Sequence, residues 1–355
     1  MSRRSTKLLK AALAAVHYLR AENILAPYTK GAGVIFMLHQ VRSDPAQEFE
    51  PNRILRVTPD FLDSVIESTL EAGFDVISLD DVPHRLEEGS ERPFAAFTLD
   101  DGYRDNREFA YPIFKRHSIP FTIFVSSDFA DGNPELWWLT LEEVLRAAPH
   151  ITLGMNGQGR HFPLGTPAKK EAAYHEIYWW LRSVPEDLAR AVVAELAAAQ
   201  NHNPKSAHAG MFMTWGELRS LAQDPLVTIG AHTTTHRALA KLPDAVARAE
   251  MADSVARIER ELGRPCRHFS YPYGCANSAG PREFRIAEEL GLATAVTTQK
   301  GLLHAEHVHS LTGLPRLSLH GDFQDIRYVK ALLSGVPFAF MTALQRVSGQ
   351  HSSTV

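Results

Sequence analysis

The chain has 355 residues, 45% of them hydrophobic and 22% charged, the balance of a globular protein with a sizeable core. Its 37 Lys and Arg against 41 Asp and Glu give a formal charge of −4, and no basic stretch dominates, which excludes nucleic acid as the main partner. Two cysteines, Cys266 and Cys275, make no disulfide framework and point to a reducing, cytoplasmic compartment.

The first predicted element is helical. "MSRRSTKLLKAALAAVHYLRAENIL" starts basic and turns apolar, as a secretory leader does, but Lys10, His17, Tyr18 and Arg20 interrupt the run. It falls short of the roughly 20 apolar residues a membrane span needs. Residues 1–30 therefore read as an amphipathic helix packed on the body. Peripheral membrane contact through Arg3, Arg4, Lys7 and Lys10 is the alternative.

Strand-like runs follow in order: "GVIFML", "FDVISL", "FAAFTL", "FTIFV", "LVTIGA", "HFSYP", "LATAVTT" and "RLSL". Several are apolar nearly throughout, as strands buried on both faces should be. Helical patterns lie between them, such as "PDFLDSVIESTLEAG", opened by a proline and followed by Gly73. This alternation implies βα units, a parallel sheet and, with seven or so strands, a distorted (β/α) barrel over residues 31–320. The rhythm breaks after "FTIFV", because the next strand begins only at Leu226. Three helix-like segments in that interval predict a helical insertion over about residues 135–214, and residues 321–355 read as C-terminal helices and a polar tail. The pairs Trp137–Trp138 and Trp179–Trp180 read as helix core, with stacking on a sugar as the alternative.

In a parallel barrel the active site forms at the C-terminal ends of the strands. There "FTLDDGY" sets Asp100 beside Asp101, where like charges repel and burial of either is costly without a partner. "HTTTH", after another strand, places His232 and His236 four apart, a spacing that puts both on one face of a helical turn and lets them share a metal. His39 ends the first strand. One carboxylate and two imidazoles make three ligands with a position left open, and the second carboxylate is free to act as a base. The competing reading makes the acidic pair a helix N-cap.

"FTLDDGY", "HTTTH" and "FSYPYG" resemble the first three motifs of the polysaccharide deacetylase family (carbohydrate esterase family 4), which includes chitooligosaccharide, chitin, peptidoglycan and xylan deacetylases. "MLHQV", "LWWLTLEE", "GLATAVTTQKG" and "LPRLSL" extend the resemblance from about Val34 to Leu319. It implies a distorted barrel that binds one divalent metal, zinc first, with cobalt, nickel or manganese as alternatives. It also implies removal of N-acetyl groups from an amino-sugar glycan or oligosaccharide. By motif, Asp100 resembles the general base, Asp101, His232 and His236 the metal ligands, and the Tyr273 backbone N–H the oxyanion donor. Two departures stand out. The arginine usual before "PY" is absent, Ser270 and Tyr271 stand there, and Arg316 of "LPRLSL" is the expected substitute. The fourth motif is absent as well, with "VTTQKG" in its region. Both departures resemble a branch with rearranged motifs, which favours His39 over His320 of "LSLHGD" as the acid that protonates the departing amine.

The rival functions are a deformylase or de-N-acylase of a small or lipid-linked sugar, a glycosidase using a second carboxylate, and a non-catalytic carbohydrate-binding barrel. His304, His307 and His309 read as a polar loop rather than a second metal cluster, and Cys275 as an inert small residue. Tyr103 and Arg104 are expected to line the sugar groove.

Overall fold

Eight short strands, most of them apolar on both faces, make one parallel sheet in the computed structural model, which describes residues 3–45, 47–89 and 92–347. The predicted polar tail from residue 348 onward lies outside the described residues. The strands are β1 Gly33–Leu38, β2 Asp75–Val76, β3 Phe94–Leu99, β4 Phe121–Val125, β5 Val227–Ala231, β6 His268–Ser270, β7 Thr294–Lys300 and β8 Leu314–Ser318. They run in the order β1-β8-β7-β6-β5-β4-β3-β2. The parallel pairing of β1 with β3, from Gly33↔Phe94 to Leu38↔Leu99, closes β1 and β3–β8 into a seven-stranded barrel.

The distortion has a local cause. β2 occupies the lower part of the far edge of β3, at Asp75↔Phe94 and Val76↔Ala95. β4 therefore meets β3 only at its upper end, at Thr98↔Thr122 and Leu99↔Ile123.

Strand parity decides what reaches the site. On β3, Phe94 and Ala96 belong to the barrel interior with Ile35, Phe124, Val296 and Leu314, whereas Ala95, Phe97 and Leu99 pack outward on the helices. Continuing that alternation past Thr98 turns Asp100 inward. The interior is tight enough that a Cβ on Gly230 would sit 2.6 Å from the Phe124 ring. Outside, the helix Pro59–Glu71 forms as its sequence predicts, with the Thr58 hydroxyl accepting from the Phe61 N–H at 3.2 Å.

Two expectations need correction. The insertion contains the predicted helices, at Trp137–Ala147, Pro167–Ser183 and Glu186–Ala199, around its own apolar cluster, but it also holds an antiparallel hairpin, His150–Met155 with Gln158–Pro163. The signal for it was Asn156–Gly157, a pair with φ of 53° and 79° that makes a tight hairpin turn. The N-terminal segment is not one helix but two, Arg3–Tyr18 and Ala21–Thr29, broken at Arg20 with φ 52°. They pack on the C-terminal helices Ile326–Leu333 and Val336–Val347.

Candidate active site

The site lies where β1, β3, β5, β6 and β8 end. Asp100 and Asp101 follow β3 and are both 2% exposed. Asp100 is held by Arg316 of β8, itself fully buried. The guanidinium donates to Asp100 Oδ1 at 2.8 Å and Oδ2 at 2.7 Å. Its remaining N–H groups donate to the Thr297 carbonyl at 2.8 Å and to the Thr98 and Ser270 hydroxyls at 3.0 Å each. All five donors of the fork are thus used. Burial pushes the Asp100 carboxyl up, but the Arg316 charge and hydrogen bonds outweigh it and hold the group below the ordinary carboxylate range.

Asp101 has a different environment. Its φ is 75°, as is that of Gly102, so the chain turns sharply and aims the Asp101 side chain away from Arg316. Oδ1 is buried, has no hydrogen-bond partner, and lies 3.3 Å from His232 Nε2 and 3.2 Å from His236 Nε2. The His232 Nδ1–H donates to the Ser270 carbonyl at 2.6 Å; because a carbonyl only accepts, the proton is on Nδ1 and the Nε2 lone pair faces Asp101. Burial pushes His236 down to about 4, so it is neutral at ordinary pH. For His232 burial acts in the same sense, but the Asp101 and Asp100 carboxylates outweigh it and its pKa is raised.

Three buried ligand atoms converge within 4.8 Å of one another, with the Asp101 oxygen orphaned among them, and this donor set fits a divalent cation of the zinc type. Among the described residues one other group could hold an ion: Asp63, Glu67 and His117. That group is more exposed, and Asp63 already pairs with Arg116 at 2.7 Å and His117 at 2.6 Å.

The predicted helical turn through "HTTTH" is absent. The segment is an irregular loop in which Thr233 and His236 have φ of 64° and 58°. Glu250 secures it, its carboxylate accepting from the Thr234 and Thr235 N–H groups at 3.1 and 2.9 Å. Of the eight non-glycine residues with positive φ among those described, four are Asp101, Thr233, His236 and Tyr273. Backbone strain of about 1–3 kcal/mol per residue is concentrated where ligands are aimed.

Tyr273 follows β6 in the "YPYG" turn. Its hydroxyl accepts from Trp137 Nε1 at 2.8 Å, and its ring lies 5.0 Å from that of His236. Among the described residues its backbone N–H donates to no protein acceptor. Trp138, from the insertion, packs 5.0 Å from the His236 ring and 6.0 Å from that of Tyr273.

His39 is brought to the mouth, with Nε2 4.0 Å from Asp100 Oδ2 and the side chain 20% exposed. Two residues the sequence reading passed over pin its loop: Asn106 Nδ2 donates to the His39 carbonyl at 2.7 Å, and Asp105 Oδ1 accepts from the Val41 N–H at 3.2 Å. Burial pushes the Asp105 carboxyl up to about 7. They stand at the end of the same "DDGYRDN" stretch, and that adjacency was the available signal. His320 is tied up elsewhere: its Nδ1 accepts from the Asp322 N–H at 3.1 Å, and burial pushes it down to about 4. Among the described residues no hydrogen bond or ion pair joins it to Asp100, Asp101, His232 or His236.

The remaining expected positions divide. Tyr103 does not line a groove; it is 1% exposed and stacks on Phe212 at 4.7 Å, while Arg104 pairs with Glu217 at 3.2 Å. Trp137 and Trp138 are buried in the insertion core, whereas Trp179 is exposed. Both cysteines are free thiols, Cys266 buried and Cys275 exposed.

Residues 185–295 match the family model described as polysaccharide deacetylase, a span that holds His232, His236 and Tyr273. No curated protein sequence gives a significant match. Among solved structures, the Streptococcus pyogenes deacetylase PplD is similar at 16% identity and a TM-score of 0.56, with 84% of this chain and 97% of that one covered. IcaB from Ammonifex degensii is similar at 15% identity and 0.53, covering 86% and 97%. The de-N-acetylase from Aggregatibacter actinomycetemcomitans is similar at 15% identity and 0.53, covering 84% and 99%. At these identities the structural likeness establishes the fold.

Proposed function

We propose that this chain, a polysaccharide deacetylase by its motifs and its family match, hydrolyses the N-acetyl group of an amino-sugar glycan or oligosaccharide with a divalent cation held by Asp101, His232 and His236. One observation carries the reading: three buried ligand atoms converge beside a carboxylate kept ionised by a fully bonded arginine. The deacetylases of similar fold support the same reaction class.

When bound, the cation supplies Lewis acidity toward the amide carbonyl and the attacking water. Asp100 accepts the proton of that water. Arg316 keeps it a carboxylate and fixes its orientation, so the base is ready without rearrangement. As the carbonyl carbon becomes tetrahedral, the uncommitted Tyr273 N–H donates to the oxyanion. His39, partly exposed beside Asp100, gives a proton to the departing amine, and acetate and the free amino sugar result.

The test is acetate release from N-acetylglucosamine oligomers by chelator-treated protein, before and after zinc or cobalt is added. Activity should vanish with the chelator and return with the metal. Full activity in the chelated protein, or none on any oligomer with any metal, sinks the reading.

A further inference from the structure

The helices at the two ends of the chain form a unit with its own charge and its own apolar face. Arg3–Tyr18 packs on Ile326–Leu333, and Ala21–Thr29 on Val336–Val347. The unit is anchored to the body by Val329 and Leu333, which join the apolar cluster outside the barrel, and is held together by the Thr29 hydroxyl donating to the Ser334 carbonyl at 2.6 Å. The Lys30 ammonium also sits 4.6 Å over the Phe74 ring. Yet the outward side of the unit carries Leu8, Leu19, Ile24, Tyr28, Phe340 and Met341, all exposed, with Tyr28 at 87% and Leu19 at 74%. Single exposed apolar side chains are ordinary; five large ones on helices that pack together, with Leu19 in the turn between the first two, mark an interaction face.

Charge is segregated in the same way. Residues 1–30 and 326–347 hold nine Lys and Arg against a single acid, Glu22. Since the chain totals 37 basic and 41 acidic residues, the rest of the molecule carries 28 against 40. We propose that this helical face seats on an anionic lipid surface, its apolar side chains entering the interface and its lysines and arginines meeting the headgroups. No helix among the described residues is long and apolar enough to cross a membrane, so the unit lies on the surface rather than spanning it. A second copy of the chain is the poorer occupant, because a symmetric contact would set one strongly basic face against another. The unit also touches the loop after β8: Lys10 lies 5.5 Å over the Phe323 ring, which is 5.4 Å from His320.

The experiment is co-sedimentation of the full chain with vesicles of phosphatidylcholine alone and of equal parts phosphatidylcholine and phosphatidylglycerol. Binding should be confined largely to the anionic vesicles and fall with added salt. Lys7→Glu with Arg20→Glu should weaken it about tenfold or more, since each reversal removes an attraction to the headgroups and adds a repulsion. Ile24→Ser with Tyr28→Ser should weaken it as well, and both variants, being changed only at exposed positions, should keep the wild-type melting temperature and acetate release. No binding to anionic vesicles, or equal binding to both kinds, overturns the proposal. So does a concentration-dependent dimer in sedimentation velocity that Ile24→Ser with Tyr28→Ser abolishes, which would give the face to a second copy.

Discussion

Asp100 and Asp101 share a peptide bond and the same depth of burial, yet their surroundings are opposite. Asp100 meets an arginine whose five donors are all spent, two of them on its own oxygens. Asp101 meets two imidazole nitrogens and keeps an oxygen with no partner. The left-handed backbone at Asp101 separates the two, sending one carboxylate toward β8 and the other toward the loop after β5. On the function proposed above, two buried acids can sit side by side because one is compensated within the protein and the other would be compensated by a bound cation.

The sharpest way to break that comparison is to remove the charge of the compensated acid alone. Asp100→Asn should leave metal content unchanged and lower acetate release about 10²–10⁴-fold, the range for removal of a general base. Loss of metal in this variant would mean that the roles of the two acids are exchanged.

Deleting the partner of Asp100 tests the compensation directly. Arg316→Met leaves the carboxylate buried and unpaired and should cost about 3–5 kcal/mol of stability, read from denaturant midpoints. A loss below about 1 kcal/mol would show that Asp100 takes up a proton or finds water without penalty. His39 sharpens the assignment of the acid. His39→Ala should retain metal and lose about 10²-fold in turnover, the lower end for acid–base groups, while His320→Ala stays near wild type. The reverse pattern would hand the proton to His320.

The smallest effect belongs to the support behind His39. The Asp105 carboxyl, pushed by burial to about 7 from about 3.9 in an unfolded chain, is favoured in its protonated form by the fold. Its contribution to stability is full below the unfolded value and is lost as pH rises through about 7. Asp105→Asn abolishes that loss, so its stability relative to wild type should improve by about 2.5 kcal/mol between about pH 5 and pH 8. A flat difference in urea midpoints across that range would show that Asp105 is ionised throughout.

Much of the barrel was legible because strands buried on both faces cannot alternate: "GVIFML", "FAAFTL" and "FTIFV" are apolar nearly throughout, broken only by Thr98 and Thr122, and match β1, β3 and β4 residue for residue. "FDVISL" reads equally well but pairs over only Asp75–Val76, since β4 takes the rest of the available edge. The acids and the two histidines stood out as short contiguous motifs. The pairing of Arg316 with Asp100 joins residues 216 apart, which no local pattern encodes; only the resemblance suggested it. The conformation of "HTTTH" was misread for a physical reason. A β-branched threonine in the left-handed region runs against local preference and is held there by tertiary bonds to Glu250. Asp105 and Glu250 look like any polar residue in the sequence, because burial is a property of the assembled fold.

The central claim is that one acid of the pair holds a cation and the other does not. It is tested most directly by zinc stoichiometry, measured by elemental analysis after equilibration with excess zinc and desalting, for wild type, Asp100→Asn and Asp101→Asn. One zinc per chain is expected in wild type and in Asp100→Asn, and none in Asp101→Asn. A full equivalent of zinc in Asp101→Asn, or none in the wild type, would contradict the account.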